Sequence, residues 1–188
     1  MSIRTRDLHL IDAIDGRPGV AVDFPLWRVA REGRDPTECS ANGGRWDDST
    51  FDVLYTSEGR EIVLAEMEFH VRRGQPVIPS KVNFKLYKLK VDLRNVLDLS
   101  TPADLENLRL NMEGFGRLSY AERLGEYPRT QEIAEVAHFH GYQGLIVPSA
   151  RAPGRNVVIF CDQVDPGCVE LDSDEGVIDW VDYGDGLR

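Results

Sequence analysis

One glutamate, Glu66, lies on the apolar stripe of a predicted helix. On a helical wheel, Ile62, Ala65 and Phe69 fall within about 100° of Glu66, so its carboxylate is expected to face the interior. A carboxylate on a buried face costs several kcal/mol unless it is paired or lines a cavity. Glu66 is therefore predicted either to pair with a buried arginine for structural reasons or to act on a ligand.

Two arginines and a serine also lie where a ligand would need them. Arg28 is embedded in the predicted strand at residues 24–29, and Arg45 follows two glycines in a predicted loop. The guanidinium group suits phosphate or carboxylate held through two hydrogen bonds, although an ordinary ion pair is the simpler interpretation of either arginine alone. Ser149 follows a short apolar strand and is well placed to contact a ligand, but serines at strand ends are also common turn formers.

The helix that carries Glu66 is predicted from about residue 58 to residue 72. Ser57 is the expected N-cap and Gly74 the expected end of this helix. A short helix is predicted to begin at Thr101-Pro102, with Pro at the first helical position. A further helix is predicted over residues 128–140, and Gly141 is its expected C-cap.

Apolar runs and turn residues predict several strands. The predicted strands cover residues 24–29, 51–56, 82–91, 144–147 and 156–161. The alternation slips by one residue between Leu86 and Leu89, which predicts a bulge or bend. Residues 31–48 are predicted to form a loop that needs positive φ near Gly43. Because strands and helices do not alternate in a regular β-α-β order, the sequence favours an α+β fold.

The chain has 188 residues and a formal net charge of -10, and the charge is uneven. Residues 162–188 contain nine acidic residues and one basic residue, whereas residues 1–161 are nearly neutral. We expect a single domain with a core at about residues 24–161 and an acidic C-terminal extension at 162–188. The extension is interpreted as one or two edge strands with solvated charges, or alternatively as a docking surface for a basic partner.

Composition excludes several classes of protein. The acidic balance argues against nucleic-acid binding that is independent of sequence, and no apolar run approaches the roughly 20 residues that span a bilayer. The N-terminus has no apolar stretch typical of a signal peptide. The three cysteines, Cys39, Cys161 and Cys168, cannot pair completely and are too sparse for a disulfide scaffold, so a reducing cytoplasm is the expected location.

Motifs for the common nucleotide chemistries do not occur in the sequence. There is no Gly-Lys dipeptide for a P-loop, no Gly-rich dinucleotide fingerprint and no Gly-x-Ser-x-Gly turn. His138 and His140 are two positions apart on a predicted helix, so their side chains diverge by about 200° and do not share a metal. Cys161 and Cys168 lack zinc-ligand spacing. No metal site is expected.

Several short motifs nevertheless occur in an order that resembles the RES domain, a family named for an arginine, a glutamate and a serine. The likeness covers roughly residues 24 to 160. Arg45 and Tyr55 are ten positions apart, and Tyr55 and Glu66 are eleven apart, as in the family pattern. The motifs are Trp27-Arg28, Gly43-Gly44-Arg45-Trp46, Val53-Leu54-Tyr55, Ala65-Glu66, the segment 141–151 with Ser149, and the segment 156–160.

The resemblance implies a fold and an activity. RES proteins have a mixed β-sheet core similar to that of ADP-ribosyltransferases, and known members consume NAD by hydrolysis or phosphorolysis of the nicotinamide–ribose bond. The resemblance implies catalytic roles for Arg28, Glu66 and Ser149, with Arg45 and Tyr55 binding the substrate. It also implies substrate binding by Asn156, no metal, and no cofactor besides NAD as the substrate.

The family likeness further implies a biological setting. RES proteins are commonly the cytoplasmic toxin of a bacterial toxin–antitoxin pair, opposite an Xre-type helix-turn-helix antitoxin. The implied partners are NAD and that antitoxin, with a homo-oligomer inside the complex as an expectation, and with neither nucleic acid nor membrane as a direct partner.

The sequence departs from the family pattern at two positions, and it allows two other functions. Asp47 stands where the family usually has Asn, and Thr50 stands where it usually has Gly, so Asp47 is expected to compete for Arg45. A mono-ADP-ribosyltransferase would use the same donor with a protein or nucleic-acid acceptor. A binding module without catalysis would use the arginines to hold an anionic ligand or a partner.

Overall fold

A computed structural model describes residues 7–72, 82–113, 115 and 127–180. Its helices are α1 (Leu8–Ile14), α2 (Arg60–Arg72), α3 (Pro102–Asn107) and α4 (Tyr127–Phe139). Its strands are β1 (Val20–Val22), β2 (Leu26–Arg31), β3 (Val53–Ser57), β4 (Phe84–Val91), β5 (Leu93–Asp98), β6 (Gly144–Pro148), β7 (Arg155–Phe160) and β8 (Val169–Val177). A short 3₁₀ helix, Cys161–Gln163, follows β7.

The strands form one sheet of eight strands in the order β1-β5-β6-β7-β3-β2-β4-β8. β5 and β6 pair in parallel, and the other neighbouring pairs are antiparallel. The mixed sheet with flanking helices confirms the predicted α+β class. The sheet is curled, because buried residues of β4 and β5, which stand far apart in the strand order, share one apolar cluster on its inner face.

The outer face of the sheet carries two separate apolar clusters. One packs α1, α3 and α4 against residues of β3, β5, β6 and β7, and the other packs α2 against β2 and β4. In β3, Val53 belongs to the first of these clusters, and the alternation of the strand puts Tyr55 and Ser57 on the same face. Asn156 of β7 pairs directly with Ser57. These three polar side chains therefore lie in the interval between the two helical layers.

Most predicted elements are confirmed, with shifts of a few residues at their ends. Thr101 caps α3 by accepting a hydrogen bond from the Asp104 N–H, and Gly141 follows α4 with a φ of 76°. Gly43 has the positive φ that was predicted for its loop, at 75°. α1, β1 and β5 were not predicted. Gly74, the expected end of α2, lies outside the described residues.

The prediction that Ser57 caps α2 was wrong. Ser57 is the last residue of β3, and the helix begins three residues later at Arg60. The Ser57 side chain is buried and donates to Asn156 Oδ1 at 2.7 Å instead of capping the helix. The pairing of Ser57 with both Trp27 and Asn156 continues the strand through this position.

The apolar alternation of β4 slips by one residue because apolar side chains of this strand are buried on both faces of the sheet. β4 pairs with β2 without interruption from Leu89 to Phe84. Leu86 packs in the α2 cluster on the outer face, whereas Leu89 and Val91 pack in the inner cluster. The predicted irregularity occurs in the pairing with β8, where the register shifts between Lys88 and Leu89.

β8 is an edge strand of the sheet and carries much of the acidic segment 162–188. This agrees with the interpretation of that segment as one or two edge strands. Lys85 and Lys88 of β4 neutralise two of its acids, since Lys85 Nζ lies 2.6 Å from Asp174 and Lys88 Nζ lies 3.3 Å from Asp172. The Lys85 hydrogen bond lowers the pKa of Asp174, and the same contact raises the pKa of Lys85. The acidic strand is thus held by local ion pairs.

A disulfide that sequence spacing did not predict joins Cys39 to Cys161. The two Cα atoms are 6.5 Å apart, and 122 residues separate the cysteines along the chain. Cys168 has a free thiol. The bond connects the loop between β2 and β3 to the end of β7. Since disulfides are rare in a reducing cytoplasm, the cytoplasmic location stays a prediction.

Candidate active site

A cleft of about 640 Å³ opens on the outer face of the sheet, between the two helical layers. Its floor is formed by Tyr55 and Ser57 of β3 and by Asn156 of β7. One wall is formed by α2, with Glu66 and His70, and the opposite side by the loop at residues 40–47 with Gln131 of α4. The interval between the apolar clusters is therefore a polar cavity large enough for a cofactor-sized ligand.

The Glu66 carboxylate lies in this cleft and is held by neutral donors. Its Oε1 accepts hydrogen bonds from Ser149 Oγ at 2.6 Å, from the Ala150 N–H at 3.0 Å and from Asn156 Nδ2 at 2.9 Å. Among the described residues, no cation forms an ion pair with Glu66, and none donates to its Oε2. The sequence also allowed a purely structural ion pair between Glu66 and a buried arginine, and no such pair occurs among the described residues. Because Glu66 is half-buried and lines the cleft, its carboxylate is available to a ligand.

The turn between β6 and β7 supplies two of these donors and is fastened to α2. The Ser149 N–H donates to the Gly154 carbonyl, which closes the turn, and Ser149 Oγ accepts from the Arg151 N–H. The Arg151 guanidinium lies over the Phe69 ring, 3.3 Å from its centroid. Ser149 is not among the residues that line the cleft. Its hydroxyl is engaged with Glu66 and with the turn, so the structure places it as a support for Glu66.

An ion pair secures the far end of the same turn. Arg155 donates from Nε and Nη2 to Glu58 Oε2, at 2.7 and 2.6 Å, and the Arg155 N–H donates to Glu58 Oε1. The Glu58 contact raises the pKa of Arg155. Because Glu58 lies just before α2, this pair couples the position of the turn to that of the helix that bears Glu66.

Asn156 links Glu66 to the floor of the cleft. Its Nδ2 donates to Glu66, and its Oδ1 accepts the hydrogen bond from Ser57 Oγ. Ser57 therefore fixes the orientation of the Asn156 amide, because the amide oxygen is taken by a hydroxyl donor and the amide nitrogen must face the carboxylate.

The loop at residues 43–47 folds around the Asp47 carboxylate. Asp47 is 2% exposed, its Oδ1 accepts from the Gly43 N–H at 2.7 Å, and its Oδ2 accepts from the Tyr55 hydroxyl at 3.1 Å. A Cβ at Gly44 would lie 2.6 Å from the Tyr55 oxygen, so only glycine fits there. Gln131 Nε2 donates to the carbonyls of Gly44 and Asp47, at 2.8 and 2.9 Å. The loop is thereby fixed to both α4 and β3.

Arg45, for which the family resemblance implies substrate binding, lines the cleft from this loop. Its guanidinium carbon lies 4.7 Å from the centroid of the Phe115 ring. The expected competition of Asp47 for Arg45 does not occur among the described residues, because the Asp47 oxygens are taken by Gly43, Ser49 and Tyr55. Asp47 shapes the loop without neutralising Arg45.

Arg28 differs from the expectation that it faces the pocket. Strand alternation puts Trp27 on the α2 side and Arg28 on the other face, and Arg28 is absent from the described lining of the cleft. Its Nη1 donates to the Tyr55 carbonyl at 3.4 Å and its Nη2 to the Glu38 carbonyl at 3.0 Å. Burial lowers the pKa of Arg28 to about 10, and the Glu38 and Asp35 carboxylates oppose that shift.

The cleft thus collects Arg45, Tyr55, Glu66 and Asn156 at one place, with Ser149 directly behind Glu66 and Arg28 behind the backbone of Tyr55. Sequence reasoning missed Ser57, Gln131 and the tie between Asp47 and Tyr55. Only Asp47 gave a signal, as a departure from the family pattern. Within the described ranges, no group of three or more His, Cys, Asp and Glu side chains is arranged to hold a metal ion. No described helix is long and apolar enough to cross a membrane.

The protein is an α+β protein with one curled mixed sheet. Its cleft lies between two helical layers and contains a carboxylate, as the active site of an enzyme would. Residues 25–179 match the family model of the RES domain. The chain therefore belongs to the RES domain family.

Named relatives and a solved structure are similar to this chain. Proteins named NAD(+) phosphorylase MbcT, from Mycobacterium bovis and Mycobacterium tuberculosis, are 23% identical to it over 171 residues, which is 88% of each chain. A chain in the crystal structure of the M. tuberculosis MbcT–MbcA toxin–antitoxin complex matches with a TM-score of 0.78 and 23% identity. That match covers 95% of this chain and 97% of the other, and it shows that the two share a fold.

Proposed function

We propose that this protein cleaves the nicotinamide–ribose bond of NAD⁺ and acts as the toxin of a toxin–antitoxin pair. Membership of the RES domain family and the names of the similar proteins support the proposal. The observation that carries it is the Glu66 carboxylate, which lines the cleft and is held there by three neutral donors to Oε1.

The reaction needs an anion where positive charge develops. The bond between the ribose C1 and the nicotinamide nitrogen breaks with both electrons going to nitrogen, which leaves neutral nicotinamide and an oxocarbenium-like ribose. Glu66 stabilises that cation through its charge and through a hydrogen bond from a ribose hydroxyl to Oε2. Because Ser149, Ala150 and Asn156 fix Oε1, the carboxylate is in place before the positive charge develops. Electrostatic catalysis is strongest when the stabilising group is positioned in advance in this way.

The other cleft residues bind the rest of the substrate. Arg45 donates to the pyrophosphate, since its planar fork suits phosphate oxygens. Tyr55, which is 36% exposed, offers its ring as a surface for the nicotinamide. Asn156 and Ser149 position Glu66, and Arg28 holds the Tyr55 backbone from behind. NAD⁺ is consumed as the substrate, and the proposed reaction uses no other cofactor.

The second substrate is phosphate or water. A phosphate oxygen that bonds to the ribose C1 gives ADP-ribose 1″-phosphate, and water gives ADP-ribose and a proton. Incubating the purified protein with NAD⁺, with and without phosphate, tests the reaction, with products resolved by chromatography. We expect one nicotinamide to be released for each molecule of ADP-ribose product. Phosphorolysis predicts that phosphate makes the release of nicotinamide faster. Intact NAD⁺ under both conditions would contradict the proposed reaction.

The proposed toxin role has its own test. Expression of this chain alone should deplete cellular NAD⁺ and arrest growth, and an Xre-type antitoxin encoded beside it should restore growth. The Glu66→Gln variant provides the control, because it keeps the shape of the cleft and loses the charge. Growth arrest by the variant as strong as that by the unmodified chain would show that toxicity does not come from this reaction. The cytoplasm, where NAD⁺ is available, is the proposed location.

A further inference from the structure

Two carboxylates, Asp47 and Glu66, are among the described residues that line the cleft, and both are held by neutral groups. The partners of Asp47 are the N–H groups of Gly43 and Ser49 and the Tyr55 hydroxyl, while the Glu66 carboxylate accepts from a serine hydroxyl, a backbone N–H and an amide. Within the described part of the chain, neither forms an ion pair with Lys, Arg or His. Buried carboxylates are usually paired with a cation, so two carboxylates without an ion pair leave negative charge available to a ligand in this cleft.

The Tyr55 side chain contacts one of these carboxylates and shares the cleft with the other. Its hydroxyl contacts the Asp47 carboxylate, so Asp47 marks the outer end of the ring. Glu66 approaches from the strand, because it is hydrogen-bonded to Asn156, which is bonded in turn to Ser57, two positions beyond Tyr55 on the same face of β3. The ring lines the cleft and is partly exposed.

An aromatic ring that shares a cleft with two carboxylates favours a flat cation. The ring quadrupole attracts a cation placed over its face, and the two carboxylates in the same cleft add to that attraction. A neutral ring of the same shape gains only the contact area. The positive charge of NAD⁺ resides on its nicotinamide ring, and the reduced dinucleotide lacks that charge.

We propose that Asp47 is a specificity residue that makes the Tyr55 subsite select the cationic nicotinamide ring over its neutral forms. This inference deepens the proposed function and rests on it for the identity of the natural ligand. It assigns different tasks to the two carboxylates. Asp47 acts on the charge of the bound ring, whereas Glu66 acts on the charge that appears on the ribose as the bond breaks.

The two tasks separate kinetically. Positive charge leaves the ring as the C–N bond breaks, so an anion at the ring end stabilises bound substrate at least as well as the transition state. Replacing Asp47 by Asn should therefore raise KM for NAD⁺ by about tenfold and leave kcat within about twofold. Product release benefits as well, because the departing nicotinamide is neutral and the subsite holds it less strongly than it held the substrate.

The test uses two small probes that the protein does not cleave. 1-Methylnicotinamide is a flat cation, nicotinamide is its neutral counterpart, and titration calorimetry or NMR measures the dissociation constant of each. For the unmodified protein we expect the cation to bind at least tenfold more tightly than the neutral ring. Asp47→Asn should reduce that ratio about tenfold, chiefly by weakening the cation. Asp48→Asn is the matched control, since Asp48 is a neighbouring acid outside the cleft lining, and it should leave the ratio unchanged.

The outcomes separate this inference from the proposed function. No preference for the cation in the unmodified protein, or an unchanged preference in Asp47→Asn, would overturn the inference even if nicotinamide is released from NAD⁺. Equal weakening of both probes would also overturn it, because Asp47 would then only shape the loop. A clear preference without nicotinamide release would sustain the inference and contradict the proposed reaction. If Asp47→Asn does not fold, Asp47→Ser, which keeps an acceptor for the Gly43 N–H, is measured in its place.

Discussion

Replacing Glu66 by Gln removes one charge from the cleft and little else. The glutamine oxygen can occupy the position of Oε1 and accept the same three hydrogen bonds. Since those donors are neutral, the variant leaves no buried cation without a partner. We expect the free energy of unfolding to change by about 1 kcal/mol, or roughly 3 °C in Tm for a chain of this size.

The expected loss of activity is far larger than the loss of stability. A fixed electrostatic group at the developing charge contributes about 10²–10³ in rate, and the donors on Oε1 hold Glu66 in place without neutralising it. The kcat for nicotinamide release should therefore fall by about 10²–10³, while KM changes by less than about threefold, because the charge acts mainly in the transition state.

The assay is initial-rate nicotinamide release from NAD⁺, read beside thermal melting of the same samples. Glu68→Gln is the matched control on the same helix, because Glu68 pairs with Arg72 at 2.8 Å and does not line the cleft. Its kcat should stay within about twofold, since an i, i+4 ion pair on a helix contributes only a few tenths of a kcal/mol and lies outside the cleft. A folded Glu66→Gln protein as active as Glu68→Gln would refute the assignment of Glu66.

Three further predictions concern the loop of Arg45, the Ser149 hydroxyl and the disulfide. Gln131→Leu removes both hydrogen bonds that hold the loop of Arg45 to α4, so KM for NAD⁺ should rise about tenfold with kcat nearly constant, and an unchanged KM in steady-state kinetics would contradict the role of the loop. Ser149→Ala removes one of three donors to Glu66 and should lower kcat about tenfold in the same assay, whereas a change in KM alone would show that Ser149 binds substrate directly. Thiol titration of the unfolded, unreduced protein should find one thiol, Cys168, and three thiols would show that Cys39 and Cys161 are not joined.

The orientation of Glu66 was predictable because helical periodicity reports which residues share a face. Ile62 is buried on α2 as the pattern required, and Glu66 turns toward the cleft beside it. The family motifs likewise implied that Tyr55, Asn156 and Glu66 belong to one site, and all three line the cleft. Both inferences use information that is local in sequence or shared by a family.

The supports of the site were not predictable in the same way. Ser57 reads locally as a helix cap, and only the pairing of β3 with β7, 99 residues away along the chain, extends the strand through it and gives its hydroxyl to Asn156. Gln131 gives no local signal, because its partners are backbone carbonyls 84 and 87 positions away. The position of Arg28 was not predictable from its residue type, because strand alternation decides which face of the sheet an arginine occupies.

The most direct test of the account is a crystal structure of the Glu66→Gln variant with NAD⁺, since the slow variant should retain intact substrate. We expect the ribose C1 within about 4 Å of the residue 66 side chain, with the nicotinamide ring stacked on Tyr55 and the pyrophosphate at Arg45. NAD⁺ bound outside this cleft, or bound within it with the ribose remote from residue 66, would contradict the central claim.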